Sequence, residues 1–124
     1  MQGERWHELR NILVVRPDNI GDVVLAAPVL KALRAAAPGA RITLLASPAG
    51  SAAAPLLRPW LDRVFVRRVL WQDVHGRLPH DAEHELELVG EIAARGFDAA
   101  FFLTSFSQSP LPPAYVCYLA GVPI

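Results

Sequence analysis

Residues Asn11–Arg16 read NILVVR, an unbroken apolar run rich in β-branched side chains. Successive side chains of a strand point to opposite faces. A strand with no polar alternation must therefore be buried on both sides, as in a parallel sheet covered by helices. After the loop Pro17-Asp18-Asn19-Ile20-Gly21, apolar positions recur at Val23, Ala26, Leu30, Leu33 and Ala37. That spacing is one face of a helix. Pro28 falls inside the stretch, so either the helix kinks there or a short turn precedes a helix that begins at Pro28. Pro38-Gly39 closes it.

The rest of the chain repeats the alternation. Arg41–Ala46 reads as a second strand. Ser51–Leu57 reads as a short Ala-rich helix with Ser51 as its N-cap. Arg63–Val69 reads as a third strand, and Trp71–Pro79 as a polar loop. Asp81–Arg95 is expected to be a helix whose apolar stripe is Leu86, Val89 and Ala93, stopped by Gly96. Asp98–Thr104 reads as a fourth strand. Pro110, Pro112 and Pro113 confine a last helix to Pro113–Ala120. This order predicts an α/β fold, a Rossmann-like doubly wound parallel sheet of about four strands with right-handed crossovers. The expected strand order is 3-2-1-4. In such sheets ligands bind outside the carboxyl ends of the strands, where the order reverses. The reversal falls between strands 1 and 4, so the loops Pro17–Asp22 and Ser105–Pro110 are the ones to watch. Residues 1–10 form a polar extension, and 11–124 a single domain.

Composition narrows the function classes. Hydrophobic residues make up 52% and charged ones 19%, which favours a folded chain over a disordered one. Twelve basic and 12 acidic side chains cancel, which argues against general nucleic-acid binding. Lys31 is the only lysine, and the preference for Arg is most simply that of a GC-rich genome. Cys117 is the only cysteine, so no disulfide can form within the chain and no thiolate cluster can hold a metal. One cysteine fits a reducing compartment. Residues 1–10 lack the apolar core of a signal peptide, and no run reaches the roughly 20 apolar residues of a membrane helix. A cytoplasmic protein is expected, with room for a peripheral place at the inner face of the cytoplasmic membrane. Beyond Arg95 only Asp98 is charged, so the C-terminal stretch is expected to pack against a further part of the protein.

The common phosphate signatures are absent. No Gly-x-Gly-x-x-Gly occurs, and Lys31 is flanked by Leu30 and Ala32 rather than by the residues of a P-loop. What stands after strand 1 is Arg16-Pro17-Asp18-Asn19-Ile20-Gly21-Asp22. Gly21 would let the backbone turn tightly or come close to a ligand. Asp22 has two readings. It is an acid in the first turn of a helix, where it complements the dipole, or a carboxylate at the crevice, placed to take a proton from a substrate hydroxyl. Ser105 and Ser107 follow strand 4 and would bond a sugar or phosphate, or cap a turn. Arg67-Arg68 closes strand 3 and by itself reads as a solvated pair on an exposed strand end. His80 and His84, with Glu83 and Glu87, have a spacing that suits a metal. They lack a third ligand, and an acidic solvated helix face is the commoner meaning, so no metal is expected.

The segment ILVVRPDNIGDVVLAAPVLKALRAAAPGARITLLASP resembles the opening of the ADP-heptose:lipopolysaccharide heptosyltransferases, glycosyltransferase family 9. The resemblance is carried by Arg16, Gly21-Asp22-Val23, Pro28, Pro38-Gly39-Ala40 and Ile42–Leu45, then by Asp62-Arg63-Val64, Phe97-Asp98 and Leu119-Ala120-Gly121. It runs over nearly the whole chain from Asn11. It implies the incomplete N-terminal, acceptor-side domain of a two-domain GT-B enzyme that moves a heptose or similar sugar from a nucleotide-diphosphate sugar, such as ADP-heptose, to a lipopolysaccharide-type acceptor. The acceptor would be a glycolipid or surface polysaccharide. The donor would bind through an absent C-terminal domain, so the chain alone would be inactive. The resemblance makes Asp22 the general base, with Arg16, Asn19, Gly21, Arg67, Arg68, Ser105 and Ser107 as substrate contacts and no metal or other cofactor. A bare strand 4 edge would promote self-association. The alternative is a stand-alone, non-catalytic α/β module that binds an anionic sugar or a partner protein. A phosphorelay receiver is excluded, because strand 3 ends in Arg67-Arg68 rather than an acid and no suitable Lys exists.

Overall fold

In the computed structural model the described residues are 3–72, 81–105 and 108–123. Four parallel strands, β1 (Asn11–Val15), β2 (Arg41–Ala46), β3 (Arg63–Val66) and β4 (Ala99–Phe102), form one sheet in the order β3-β2-β1-β4. That is the order expected from the alternation of elements. The register aligns Ile12 with Ile42 and Ala99, and Val14 with Leu44 and Phe101. The helices are α1 (Ile20–Val24), α2 (Ala27–Ala36), α3 (Ala54–Leu57), α4 (Ala82–Arg95) and α5 (Leu111–Leu119).

Alternation along the strands divides the core into two layers. Ile12, Val14, Ile42 and Leu44 pack with Val23, Leu30, Leu33 and Leu57 on the α1–α3 side. Leu13, Val15, Leu45 and Phe65 pack with Leu88, Ile92 and Cys117 on the α4–α5 side. Central strands buried on both faces explain the unbroken apolar run. Burying each large side chain contributes about 1.5–3 kcal/mol. The segment ahead of Asn11 joins this core. Gly3–Glu8 is a 3-10 turn, Leu9 is buried, and the Trp6 ring stacks on Phe101 with centroids 5.3 Å apart.

At Pro28 the second of the two readings holds: a turn separates α1 from α2, and Pro28 stands in the first turn of α2. Other local expectations need correction. Ser51 is no N-cap: its hydroxyl donates back to the Pro48 carbonyl at 2.7 Å. Gly50–Ala53 forms a 3-10 turn ahead of α3. Strand β3 stops at Val66 and β4 at Phe102. In α4 the buried stripe is Leu88 and Ile92, while Leu86 is 66% exposed. The helix starts at its Asp81 cap and ends at Gly96, whose φ of 64° suits a residue without a Cβ. Helix α5 begins at Leu111, earlier than expected, because Pro112 and Pro113 occupy a first turn that needs no N–H donors.

Candidate functional site

The carboxyl ends of β1 and β4 meet where the strand order reverses, and the loop after β1 builds the site. Asn19 caps α1, its Oδ1 accepting the Asp22 N–H at 3.1 Å. Asp22 thus stands in the first turn of α1, its side chain 29% exposed. Arg16 is buried beside it. Its Nη2 lies 3.4 Å from Asp22 Oδ1 and donates to Ser105 Oγ at 3.0 Å. Its Nη1 donates to the Leu103 carbonyl at 3.0 Å and lies 3.0 Å from Asp18 Oδ2. The Asp18 contact is an ion pair without hydrogen-bond alignment, so Oδ2 accepts no hydrogen bond. Both Nη groups are therefore taken up by acceptors of the protein itself.

Asp18 is the residue the sequence reading passed over. Its Oδ1 accepts from Gln72 Nε2 at 2.5 Å and Gln108 Nε2 at 2.9 Å. Its carbonyl accepts from Ser47 Oγ at 2.6 Å, and the same hydroxyl accepts the Gly50 N–H at 2.9 Å. Gly50 is the glycine this packing demands: a Cβ there would lie 2.7 Å from both the Asp18 carbonyl and Val23 Cγ2. Gly21, by contrast, sits inside α1 in ordinary helical conformation, and a Cβ would only touch Asn19 Oδ1 at 3.5 Å. The expected tight turn at Gly21 is not there. Gln108 lies in a loop that the strand order singled out, but no local pattern marks a Gln or a Gly for such a long-range contact, and nothing nearby in sequence pointed to Gln72 or Gly50.

Two clefts flank this loop and share Leu103 and Thr104. One, about 390 Å³, is lined by Arg16, Asp22, Leu25, Val29, Phe102 and Thr104. The other, about 340 Å³, is lined by Pro17, Trp71, Gln72, Gln108 and Pro112 among others. The first holds an anionic side chain open to solvent, which is what proton removal from a bound hydroxyl requires. A larger groove of about 590 Å³ runs between Trp6, α2 and Phe101. It is apolar apart from His7 and lacks an acid, so size alone does not mark the site.

The other candidates lie apart. Arg67 follows β3 and is tied to α4, forming an ion pair with Glu91 and coming within 3.5 Å of His84 Nε2. Arg68 is exposed. Neither lines the two clefts. Ser105 belongs to the site through Arg16, and its N–H donates to Gln108 Oε1 at 2.7 Å. Ser107 and His80 lie outside the described residues. Among the described residues no three His, Cys, Asp or Glu side chains are grouped to hold a metal, and no helix is long and apolar enough to cross a membrane.

No protein-family model and no curated protein sequence matches the chain. A solved structure does. The chain is similar to a glycosyltransferase. That protein is the glycosyl transferase family 9 from Veillonella parvula DSM 2008, matched with a TM-score of 0.64 and 25% identity. The match covers 93% of this chain and 30% of that one, so the chain spans under a third of the neighbour's length. The likeness supports a glycosyltransferase-like fold with this strand order.

Proposed function

We propose that the chain is the acceptor-side part of a glycosyltransferase, in which Asp22 takes the proton from an acceptor hydroxyl as that hydroxyl attacks the anomeric carbon of a nucleotide-diphosphate sugar. A heptose donor such as ADP-heptose, and a lipopolysaccharide-type acceptor at the inner face of the cytoplasmic membrane, are the finer proposal. It rests on the segment that resembles the heptosyltransferases. The observation that supports the reading most is Asp22, partly exposed in a cleft at the strand-order reversal, in a chain similar to a family 9 enzyme.

Bond by bond, the acceptor oxygen forms the new glycosidic bond, its proton passes to an Asp22 oxygen, and the nucleoside diphosphate leaves with the electron pair of the anomeric C–O bond. The charge on that leaving group would be met by groups of a donor-binding domain. On this reading the chain alone does not turn over. The test is a chimera in which the chain replaces the matching segment of the Veillonella transferase. Sugar transfer that falls about 10²- to 10⁴-fold with Asp22→Asn is expected for loss of a general base. Undiminished transfer by a folded Asp22→Asn chimera would sink the reading.

A further inference from the structure

We propose that Asp18 is a positioning residue that holds the Arg16 guanidinium against Asp22 from within the protein. The role deepens the reading above and bears on sugar transfer only if Asp22 is the base.

The Asp18 side chain is 4% exposed, and the loops after all four strands meet at this residue. Its own loop follows β1. Ser47, after β2, donates its hydroxyl to the Asp18 carbonyl. Gln72, beyond β3, and Gln108, beyond β4, both donate to Oδ1, and the two amides lie 3.4 Å apart. Gly50 presses on the remaining side, with no room for a Cβ.

Two donors from different loops fix the plane of the carboxylate, and with it the direction of Oδ2. That oxygen holds Arg16 Nη1 by charge at 3.0 Å, while the hydrogen bond of the same arm goes to the Leu103 carbonyl at 3.0 Å. A guanidinium is a rigid planar fork, so fixing one arm aims the other. The other arm is Nη2, which Ser105 Oγ supports and which faces Asp22 Oδ1. Asp22 Oδ2 is then the oxygen left to meet a hydroxyl in the cleft. A buried ion pair seldom adds net stability, because desolvation offsets the attraction. A connected network of this kind instead selects one geometry. Each loop that shapes the ligand end of the sheet reports its position to Asp18, and Asp18 passes it through Arg16 to Asp22.

The test is NMR of the chain labelled with ¹⁵N-arginine, the Arg16 signals being assigned by their loss in Arg16→Lys. A clamped guanidinium rotates slowly and shows separate Nη proton signals. The wild-type chain is expected to show them for Arg16. Asp18→Asn is expected to collapse them into one averaged signal, and Asp22→Asn to leave them separate. Averaged signals in the wild type, or separate signals persisting in folded Asp18→Asn, would overturn the proposal. Should Asp18→Asn fail to fold, Gln72→Leu and Gln108→Leu keep the Asp18 charge and remove one donor each. Broadening of the Arg16 signals in these variants supports the proposal, and unchanged signals in both overturn it. None of these spectra depends on sugar transfer, so failure of the transferase reading would show separately, in the chimera.

Discussion

The two ends of the sheet use their acids in different ways. At the amino end Asp98, just ahead of β4, accepts the backbone N–H groups of Arg10 at 2.7 Å and Asn11 at 2.9 Å through Oδ2. Asp62, just ahead of β3, accepts the Ile42 N–H at 2.8 Å and Arg34 Nη2 at 2.5 Å. Each ties its own strand to the start of the neighbouring strand in the sheet, β1 for Asp98 and β2 for Asp62, so its carboxylate is committed to the fold. At the carboxyl end Asp18 and Asp22 meet side chains instead. Among the described residues Asp22 has only the Arg16 ion pair at 3.4 Å, and it opens on a cleft. An acid that closes a strand end has little left for a substrate, whereas an acid held by one side chain beside open space does.

That contrast makes opposite demands on similar substitutions. The largest expected effect is on chemistry at the carboxyl end. Asp22→Asn should cut transfer in the chimera about 10²- to 10⁴-fold while shifting stability by no more than about 1 kcal/mol, since Arg16 keeps Asp18 as an ion-pair partner. Asp98→Ala should do the reverse. Leaving the part-buried Asn11 N–H without its acceptor should cost about 1–3 kcal/mol, and the exposed Arg10 N–H, which water can reach, adds little. A urea midpoint for Asp98→Ala equal to wild type would break the contrast.

Gly50→Ala comes next. Its new Cβ meets a backbone carbonyl and Val23, which yield poorly, so about 1–3 kcal/mol is expected for overpacking. Urea unfolding reads the cost, and amide shifts at Asp18 and Asp22 report whether the β1 loop moves. A neutral Gly50→Ala would mean that the loop around Gly50 yields more easily than its 2.7 Å contacts imply.

The smallest effect is the pH dependence at Asp62. Burial alone would raise its carboxyl, but the Ile42 N–H, the hydrogen bond and charge of Arg34, and the charge of Arg41 outweigh it and hold the group below its ordinary value of 3.8. A group lowered on folding adds stability above its unfolded value, and that stability is lost as pH falls through the folded one. Wild type should therefore lose stability below about pH 4 more steeply than Asp62→Asn. The difference should be small, because the side chain is 44% exposed and water screens the pair. Parallel acid-denaturation curves for the two proteins would remove Asp62 from the account.

Much of the fold was legible because its signals are periodic. The double-sided strand run and the Val23–Ala37 stripe follow directly from burial on known faces. Helix α4 misled because Leu86, Leu88, Val89, Ile92 and Ala93 offer two overlapping stripes, and packing against α5 and the sheet face of Leu13, Val15, Leu45 and Phe65 selects Leu88 and Ile92. Of the motifs that carried the family resemblance, Asp62 and Asp98 prove to be strand-end anchors. Gly21 was singled out because it stands in a loop motif, while the crowded glycine is Gly50, whose constraint comes from a carbonyl in another loop. Asp18 and Gln108 stand in the two loops that the strand order singled out, but their pairing, and Gln72 altogether, gave no local signal, since it arises only when separate loops converge.

The central proposal is that the Asp22 cleft receives the acceptor, because the general base proposed there must reach the hydroxyl it deprotonates. It is tested most directly by titrating the ¹⁵N-labelled chain with a deacylated, heptose-free lipopolysaccharide core oligosaccharide and mapping the amide shifts. Saturable shifts centred on Asp22, Leu25, Val29 and Thr104, weakened in Asp22→Asn, are the result the account predicts. Shifts confined to Arg67, Arg68 and α4, or none at millimolar oligosaccharide, would contradict it.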